Sequence, residues 1–218
     1  MEINITKDPF AVSFQKEILS MSYLKKNDKI IIAVSGGMDS NALLYLIHWL
    51  DRFKIIVAHI DHSIRADSIK DRVFVERMCK DLNLPFFSKK LDLDSRSKNE
   101  SLEEWARNKR YHYLNNLYIT TKSNWIMTGH HCNDHAETIL MNLSRQTGIL
   151  GMLGIQQKNG EIIRPLLSFN KKELLDFVKR LGIQFVDDST NSDTSFPRNF
   201  IRRKVVKPWE EKVPSFVK

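Results

Sequence analysis

The feature that most restricts the fold of this chain is a short glycine-containing loop between two apolar segments. The segment before it, residues 30–34, is β-branched and continuous, as in a strand buried on both faces of a parallel sheet. The loop reads Ser35-Gly36-Gly37-Met38-Asp39-Ser40, and an apolar helical segment at residues 42–50 follows. Two glycines let the backbone turn tightly, and the amide groups that open the next helix then favour an anion. The loop therefore predicts a phosphate-binding turn.

Asp39 is unusual in an anion site because its carboxylate repels phosphate. Its presence is explained if it holds Mg²⁺, which proteins bind through one or two carboxylates together with phosphate oxygens. The alternative is a plain glycine turn, and the Walker pattern is absent because no Gly-Lys-Ser/Thr follows. We predict that the ligand-binding residues are Ser35, Gly36, Gly37, Met38, Asp39 and Ser40.

Strand-like and helix-like segments alternate along the whole chain, which indicates an α/β fold with a parallel sheet. The predicted strands are residues 30–34, 55–60, 86–91, 125–128 and 162–163. The predicted helices are residues 10–24, 42–50, 66–82, 101–118, 134–143 and 171–182. We expect a doubly wound, mainly parallel five-stranded sheet. One domain, residues 1–185, would carry a short basic C-terminal arm, residues 186–218, packed on the same domain.

The charge of the chain suits a polyanionic partner. Lys and Arg number 34 against 26 Asp and Glu, so the formal net charge is +8, and nucleic acid is the commonest partner of such a surface. The alternative is a basic surface without a specific partner. We expect a helix over residues 198–204 that Pro208 ends. It belongs to a cluster of cations suited to RNA phosphates, namely Arg198, Arg202, Arg203, Lys204 and Lys207.

Cysteine content and hydropathy limit where such a chain can act. Its two cysteines, Cys79 and Cys132, form no CxxC pair, which favours a reducing compartment over a disulfide framework. No stretch approaches the roughly 20 apolar residues that span a bilayer. We therefore expect no membrane partner and a location in the cytoplasm, or inside an organelle that encodes the protein.

Polar residues follow two of the predicted strands at the point where each strand ends. The second strand ends in His59-Ile60-Asp61, and the fourth runs into residues 129–134, which include His130 and Asp134. Ligands of open α/β sheets bind at the carboxyl ends of strands, near the point where the strand order reverses. These residues are therefore predicted to lie beside the loop, although His59 and Asp61 can also be explained as structural hydrogen-bonding groups.

The fourth strand end allows two interpretations. His131 and His135 are spaced i, i+4 beside Cys132, as in some zinc sites, but no second Cys/His cluster completes four ligands. The favoured interpretation is catalytic: Asp134 shares Mg²⁺ with Asp39, and His130 contacts the reacting phosphate or relays a proton.

The order of several motifs is more specific than the loop alone. They are SGGMDS at 35–40, HIDHSIR at 59–65, ARNKRY at 106–111, GHHCNDHAET at 129–138, RPLL at 164–167, DDSTN at 187–191 and RNFIR at 198–202. Together they resemble the tRNA(Ile)-lysidine synthetases, a family of pyrophosphatase-loop (PP-loop) ATPases, from residue 28 to about 206.

This resemblance implies a two-step reaction with ATP and Mg²⁺ as cofactors. ATP would adenylate the C2 oxygen of the wobble cytidine in an isoleucine tRNA with a CAU anticodon, releasing pyrophosphate. The ε-amine of L-lysine would then displace AMP and give lysidine.

The resemblance also assigns roles to residues. Ser35, Gly36, Gly37 and Ser40 would bind pyrophosphate, and Asp39 and Asp134 the metal. His59 and Ile60 would flank adenine, largely through their backbone. The catalytic residues would be Asp39, Arg110, His130 and Asp134, with Arg107 as a neighbour.

Two positions depart from the family, which usually has an acid at Asn133 and a glutamine at His135, so neither is assigned a role. Two other functions stay open. One is a thiolase-type PP-loop enzyme that modifies tRNA, and the other is a non-catalytic RNA-binding module with an ATP-binding fold.

Overall fold

The alternation of strands and helices along the chain is confirmed. The structure is a computed structural model that describes residues 5–61, 68–97, 100–187, 193–213 and 216–217. The strands are β1 (Lys29–Ala33), β2 (Lys54–Asp61), β3 (Phe86–Lys90), β4 (Trp125–Met127), β5 (Lys158–Asn159) and β6 (Ile162–Ile163). The helices are α1 (Pro9–Ser20), α2 (Met38–Trp49), α3 (Ser68–Asp81), α4 (Leu102–Thr121), α5 (Cys132–Ser144), α6 (Ile149–Met152), α7 (Lys171–Leu181), α8 (Pro197–Phe200) and α9 (Lys207–Lys212).

The strands form one twisted layer in the order β3-β2-β1-β4-β6-β5. All neighbours pair in parallel except β5 and β6, which pair antiparallel. The five predicted strands are therefore present, and β5 is a sixth strand that was not predicted because two residues carry no periodicity. The strand order reverses between β1 and β4, so the ligand crevice of such a sheet is expected at their carboxyl ends.

The central strand β1 shows why the sheet is covered on both faces. Ile30 and Ile32 pack into an apolar cluster with residues of α1, α2, α3 and α7. Ile31 points the other way, into a cluster formed mainly with α4. Because successive side chains of a strand alternate between faces, a continuous apolar run such as β1 requires helices on both sides. This arrangement is the doubly wound architecture expected from the sequence.

The C-terminal segment differs from its prediction in one respect. Residues 197–200 form α8, residues 201–206 continue as a π-helix, and residues 207–212 form α9. The expectation that Pro208 ends the helix is wrong, because Pro208 lies in the first turn of α9. The helical backbone continues into α9 from residues 201–206, where the Lys207 amide donates five residues back to the Arg202 carbonyl, so Pro208 lies directly after the wider π turns.

The C-terminal segment packs on α5. Val206 and Val217 are buried in a small apolar cluster with Cys132, at the start of α5. The domain division at residue 185 stays a prediction. No helix in the part of the chain that the structure describes is long and apolar enough to cross a membrane.

The start of α1 is tied to the end of α7 through Asp8. Its carboxylate accepts hydrogen bonds from the Phe10 and Ala11 amides at 2.9 and 3.2 Å and from the Arg180 guanidinium at 2.8 and 3.1 Å. Burial acts to raise the pKa of Asp8, but Arg180 and the two amides outweigh it and lower this pKa below 3.8. Asp8 is therefore both the N-cap of α1 and the anchor of Arg180.

We expect Asp8→Ala to lower the free energy of unfolding by about 1–2 kcal/mol, because it removes the N-cap. Asp8→Asn keeps an oxygen acceptor and is expected to cost less. Since the pKa of Asp8 is depressed, its contribution is present above pH 4 and is lost as the pH falls below that value. Urea unfolding at pH 7 and pH 3 measures both effects, and equal losses in the two variants at both pH values would contradict the assignment.

Candidate active site

A cavity of about 380 Å³ lies at the carboxyl ends of β1 and β4, where the strand order reverses. The loops after β1 and β4, the end of β2, α4 and the C-terminal segment all contribute to its wall. The predicted site residues that line it are Ser35, Gly37, Asp39, Ser40, Ile60, Arg110, His130 and Asp134. The structure therefore brings together residues up to 99 positions apart in the sequence.

Three predicted residues, Gly36, Met38 and His59, do not line this cavity. Gly36 has a φ of +94°, a backbone conformation that strongly favours glycine, so its contribution is the shape of the turn. His59 is buried, and its Nδ1 donates a hydrogen bond to the Val34 carbonyl at 2.9 Å. The imidazole of His59 thus joins the ends of β1 and β2.

The hydroxyl of Ser40 closes the loop between β1 and α2. Its oxygen accepts a hydrogen bond from the Ser35 amide at 3.1 Å, and the hydroxyl donates to the Gly37 carbonyl at 3.0 Å. The helix begins at Met38 with Gly37 as its N-cap, and no side chain caps it. The first amide groups of α2 are therefore available to a ligand, as an anion-binding turn requires.

The loop after β4 approaches this turn closely at Gly129. A side-chain carbon at Gly129 would lie 3.0 Å from the carbonyl carbon and oxygen of Asp39 and 3.1 Å from the Ser40 nitrogen. Backbone atoms cannot yield at such distances without a shift of α2. Glycine at this position therefore lets the strand ends of β1 and β4 form one site.

His131 joins the two predicted metal-binding carboxylates. Its Nε2 lies 3.6 Å from Asp39 Oδ2, and its Nδ1 lies 3.5 Å from Asp134 Oδ2. The side chain of His131 is 1% exposed, and it caps α5 by accepting the Asp134 amide at 3.3 Å. From the sequence, His131 was weighed only as a zinc ligand, whereas the structure places it between Asp39 and Asp134.

Two arginines of the C-terminal segment neutralise two acids of α5. Arg198 contacts Asp134 at 3.1 Å and Glu137 at 3.0 Å. Arg202 contacts Glu137 at 2.6 Å and Asp134 at 3.5 Å. Glu137 is almost fully buried and was missed as a site residue, although its i+3 spacing from Asp134 places both acids on one helix face.

Charge and burial shift the titration of three neighbouring groups. Burial lowers the pKa of His130 to about 4, nearby arginines act in the same direction, and Asp134 opposes them. Burial also acts to lower the pKa of His131, but Asp134 and Asp39 outweigh it and raise this pKa above 6.5. Burial acts to raise the pKa of Asp134, but His131 and Arg198 hold it at about 2. At neutral pH, His130 is therefore neutral and Asp134 ionised.

Helix α4 supplies the cationic side of the cavity. Arg110 lines the cavity, and burial lowers the pKa of its guanidinium. Tyr111 lines it as well, and the Arg107 guanidinium lies 5.0 Å from the centre of the Tyr111 ring. Arg110 therefore faces the space that a ligand would occupy, while Arg107 stacks on the Tyr111 ring.

The two positions that depart from the family have structural partners. The amide of Asn133 donates to Glu210 at 3.0 Å and accepts the Lys171 amide at 2.8 Å, so it links α5 to α9 and α7. His135 Nδ1 lies 3.0 Å from the amide nitrogen and 3.1 Å from the carbonyl oxygen of Ile155. Both side chains therefore fasten other segments to α5.

Comparison with known proteins identifies the class. A domain family described as the PP-loop domain matches residues 10–209, which is most of the chain. The loop at 35–40 and the reversed strand order fit this class. The chain belongs to the PP-loop domain family.

Curated relatives narrow the resemblance. The chain is 41% identical over 208 residues to the tRNA(Ile)-lysidine synthase of Thermosipho africanus, covering 93% of this chain and 49% of the relative. It is 36% identical over 216 residues to the tRNA(Ile)-lysidine synthase of Chlorobaculum tepidum, covering 96% and 64% respectively. The chain thus spans about half to two thirds of the length of these relatives.

Solved structures support the fold at lower sequence identity. The U34-tRNA thiolase NcsA of Methanococcus maripaludis, solved with its 4Fe-4S cluster, superposes with a TM-score of 0.79 at 18% identity, covering 95% of this chain and 76% of that one. The NH3-dependent NAD synthetase of Campylobacter jejuni gives 0.55 at 16% identity, covering 97% and 87%. At these identities the likeness concerns the fold alone.

We predict that the pKa values of the adjacent His130 and His131 are shifted in opposite directions in protein without added divalent cations. His130 is expected to stay neutral down to about pH 4, while His131 holds its proton above pH 6.5. The stabilisation from His131 is therefore lost as the pH rises through its raised pKa, and that from His130 as the pH falls from 6.5 toward 4.

An NMR titration of the histidine ring protons measures both pKa values. Asp134→Asn serves as the matched variant and is expected to lower the pKa of His131, because it removes the largest charge that favours the imidazolium. Two histidines that titrate together near pH 6.5 would contradict the assignment.

Proposed function

We propose that this chain catalyses the ATP-dependent ligation of L-lysine to the C2 atom of the wobble cytidine in an isoleucine tRNA with a CAU anticodon. The products are lysidine, AMP and pyrophosphate. The main support is one cavity that combines the phosphate-binding turn with Arg110, His130 and Asp134. The relatives named tRNA(Ile)-lysidine synthase support the same reaction.

The turn and the neighbouring strand end suit ATP. The amide groups at the start of α2, with the hydroxyls of Ser35 and Ser40, would hold the β- and γ-phosphates. Ile60 lies on the same cavity wall and would flank adenine. Both cysteines are buried thiols outside any disulfide, which suits the reducing cytoplasm in which we expect this reaction.

The carboxylate of Asp39 fits a magnesium ion. The Oδ1 atom of Asp39 is buried and has no hydrogen-bond partner in the described structure, so it is free to bind a cation. Asp134 contacts His131 and two arginines, so its part in holding the ion stays a prediction. Mg²⁺ bound there would neutralise phosphate charge as pyrophosphate leaves.

The first step joins the cytidine to the nucleotide. The C2 carbonyl oxygen attacks the α-phosphorus of ATP, the new oxygen–phosphorus bond forms, and the bond to the β-phosphate breaks. Arg110 lines the cavity and would stabilise the charge that develops on the phosphate oxygens.

The second step joins lysine to the base, which stays in the tRNA. The lysine ε-amine attacks C2, a carbon–nitrogen bond forms, and AMP leaves with the electron pair of the broken carbon–oxygen bond. His130 is neutral at pH 7 and lines the cavity, so it would accept the proton that the amine loses.

A thiolase-type reaction is the second candidate because of the fold shared with NcsA. The cysteines oppose it. The chain has only two, and neither lines the cavity. Burial raises the pKa of the Cys79 thiol to about 12, so Cys79 is a poor nucleophile.

The decisive experiment is mass spectrometry of tRNA incubated with the protein and ATP. One arm contains lysine and a second contains a sulfur donor, and a tRNA with a changed wobble base serves as the control substrate. We expect the mass of lysidine in the lysine arm with the CAU substrate alone. Sulfur incorporation would support the thiolase, and tRNA binding without ATP turnover would support the RNA-binding module.

We predict that Asp39→Asn leaves the fold intact and abolishes adenylation, because it removes a metal ligand without changing size. His130→Ala is expected to lower turnover more than ATP affinity, since the lost imidazole would act on the transition state. Steady-state kinetics with lysine and tRNA separate the two effects. Weaker ATP binding in both variants, with normal turnover at saturation, would contradict both roles.

The exposed cations of the C-terminal segment are predicted to contact tRNA phosphates. Arg203 and Lys204 are exposed beside the paired Arg198 and Arg202. Arg203→Ala combined with Lys204→Ala is expected to weaken tRNA binding and to reduce its salt slope by roughly one to two units. Lysine and ATP dependence should persist.

A matched control removes two exposed lysines, Lys25 and Lys26, which precede β1 at the opposite end of the sheet. This control is expected to keep the wild-type slope of tRNA affinity against salt concentration. An unchanged slope in the Arg203 and Lys204 variant would show that this part of the segment does not meet RNA phosphates.

A further inference from the structure

Asn41 is a fully buried polar residue in the second turn of α2, directly after the phosphate-binding turn. Its neighbours Ala42, Leu43 and Leu44 are also buried, so the position lies in the apolar core. Burying an amide is costly unless it is hydrogen-bonded. An apolar residue would fill this place at lower cost, so the amide needs a specific explanation.

The amide of Asn41 joins two distant parts of the chain. Its Nδ2 donates to the Gly36 carbonyl at 3.0 Å and to the Gln184 carbonyl at 2.9 Å. Its Oδ1 is buried without a hydrogen-bond partner among the described residues. The side chain therefore acts through its two donor hydrogens, and both are used to hold carbonyl groups.

The Gly36 carbonyl is held from two sides. Besides the bond from Asn41, it accepts the Val186 amide at 2.9 Å. Residues 184–186 follow α7, which ends at Gly182 with a φ of 62°. The segment after α7 is thus fastened to the phosphate-binding turn by two hydrogen bonds, one from a side chain and one from its own backbone.

The geometry of the peptide bond carries this constraint into the cavity. A trans peptide is planar, and its carbonyl and amide point in opposite directions. When the Gly36 carbonyl is fixed toward Asn41 and Val186, the Gly37 amide is fixed on the other side, where it donates to Ser35 Oγ at 3.3 Å. Both Ser35 and Gly37 line the cavity.

We propose that Asn41 is a positioning residue that orients the Gly36–Gly37 peptide for phosphate binding and couples this turn to residues 184–186. Asn41 does not touch the ligand. It acts through Gly36, and its effect is on affinity for the phosphates. The inference rests on the proposed function only in taking a nucleotide phosphate as the ligand of the turn.

The test compares two asparagine-to-leucine variants. Asn41→Leu keeps the side-chain volume and removes both donors. Asn142→Leu is the matched control, because Asn142 Nδ2 donates to the carbonyl of another glycine, Gly151, at 2.7 Å, and Asn142 does not line the cavity. Calorimetric titration with pyrophosphate and with ATP measures the dissociation constants.

We expect Asn41→Leu to raise both dissociation constants roughly tenfold, which is the scale of one or two net hydrogen bonds. Asn142→Leu is expected to stay within about twofold of the wild type. In turnover assays Asn41→Leu should raise KM for ATP and leave kcat at saturation within about threefold. If Asn41 had a merely structural role, Asn41→Leu would lower the stability of the protein without raising KM for ATP selectively over kcat.

A folded Asn41→Leu variant with wild-type affinity would overturn the proposal, and so would an equal loss in Asn142→Leu or a loss confined to kcat. If Asn41→Leu does not fold, Val186→Pro removes the second donor to the Gly36 carbonyl and is expected to weaken pyrophosphate binding similarly. Unchanged binding in that variant would also overturn it.

The same experiment separates this inference from the proposed function. Phosphate affinities that follow the prediction without lysidine formation would leave the role of Asn41 standing and reject the lysine ligation. Lysidine formation by wild-type protein, with unchanged affinity for pyrophosphate and ATP in folded Asn41→Leu, would support the lysine ligation and reject the role of Asn41. Wild-type protein that binds neither pyrophosphate nor ATP would overturn both.

Discussion

The ion pairs between α5 and the C-terminal segment govern the arrangement of this site. Asp134 and Glu137 are buried, and an ionised carboxylate without a partner costs several kcal/mol in such a place. Arg198 and Arg202 supply the compensating charge from more than 60 residues away. The C-terminal segment therefore completes the cavity wall, and removing it would take both arginine partners from Glu137 and leave Asp134 with His131 alone.

A set of buried polar side chains extends this arrangement to the other loops of the site. His131 lies between Asp39 and Asp134, so the turn after β1 and the start of α5 share one imidazole. Asn133 links the same helix to Glu210 of α9. An acid at position 133 would face the Glu210 carboxylate and repel it. The amide at this position and the acid at Glu210 thus form a compatible pair.

The parts of the fold that were predictable are those with a local cause. The apolar run of β1 requires cover on two faces, and Gly182 ends α7 because glycine adopts a left-handed conformation readily.

Pairs such as Glu137 and Arg202 have no local signature, since 65 residues separate them and only the folded chain brings them together. The expectation for Pro208 was wrong because this proline follows the π-helical turns of residues 201–206, and no local sequence pattern marks a π-helix. The predicted catalytic and binding roles stay predictions, although the positions assigned to Asp39, Arg110, His130 and Asp134 meet at one cavity.

The formal charges on the cavity wall explain why a cation and a neutral histidine suit the proposed chemistry. Among the residues that line the cavity, Arg110, Arg198 and Arg202 face Asp39 and Asp134, and Glu137 beside them brings the acids to three. Three acids therefore match these three arginines, and a triphosphate brings several further negative charges. A divalent ion on Asp39 would offset part of that charge. Burial, together with nearby arginines, meanwhile lowers the pKa of His130, so the imidazole keeps its lone pair at neutral pH. Arg198 thus both neutralises the buried acids and acts with burial to keep His130 unprotonated, which links the stability of the site to its proposed chemistry.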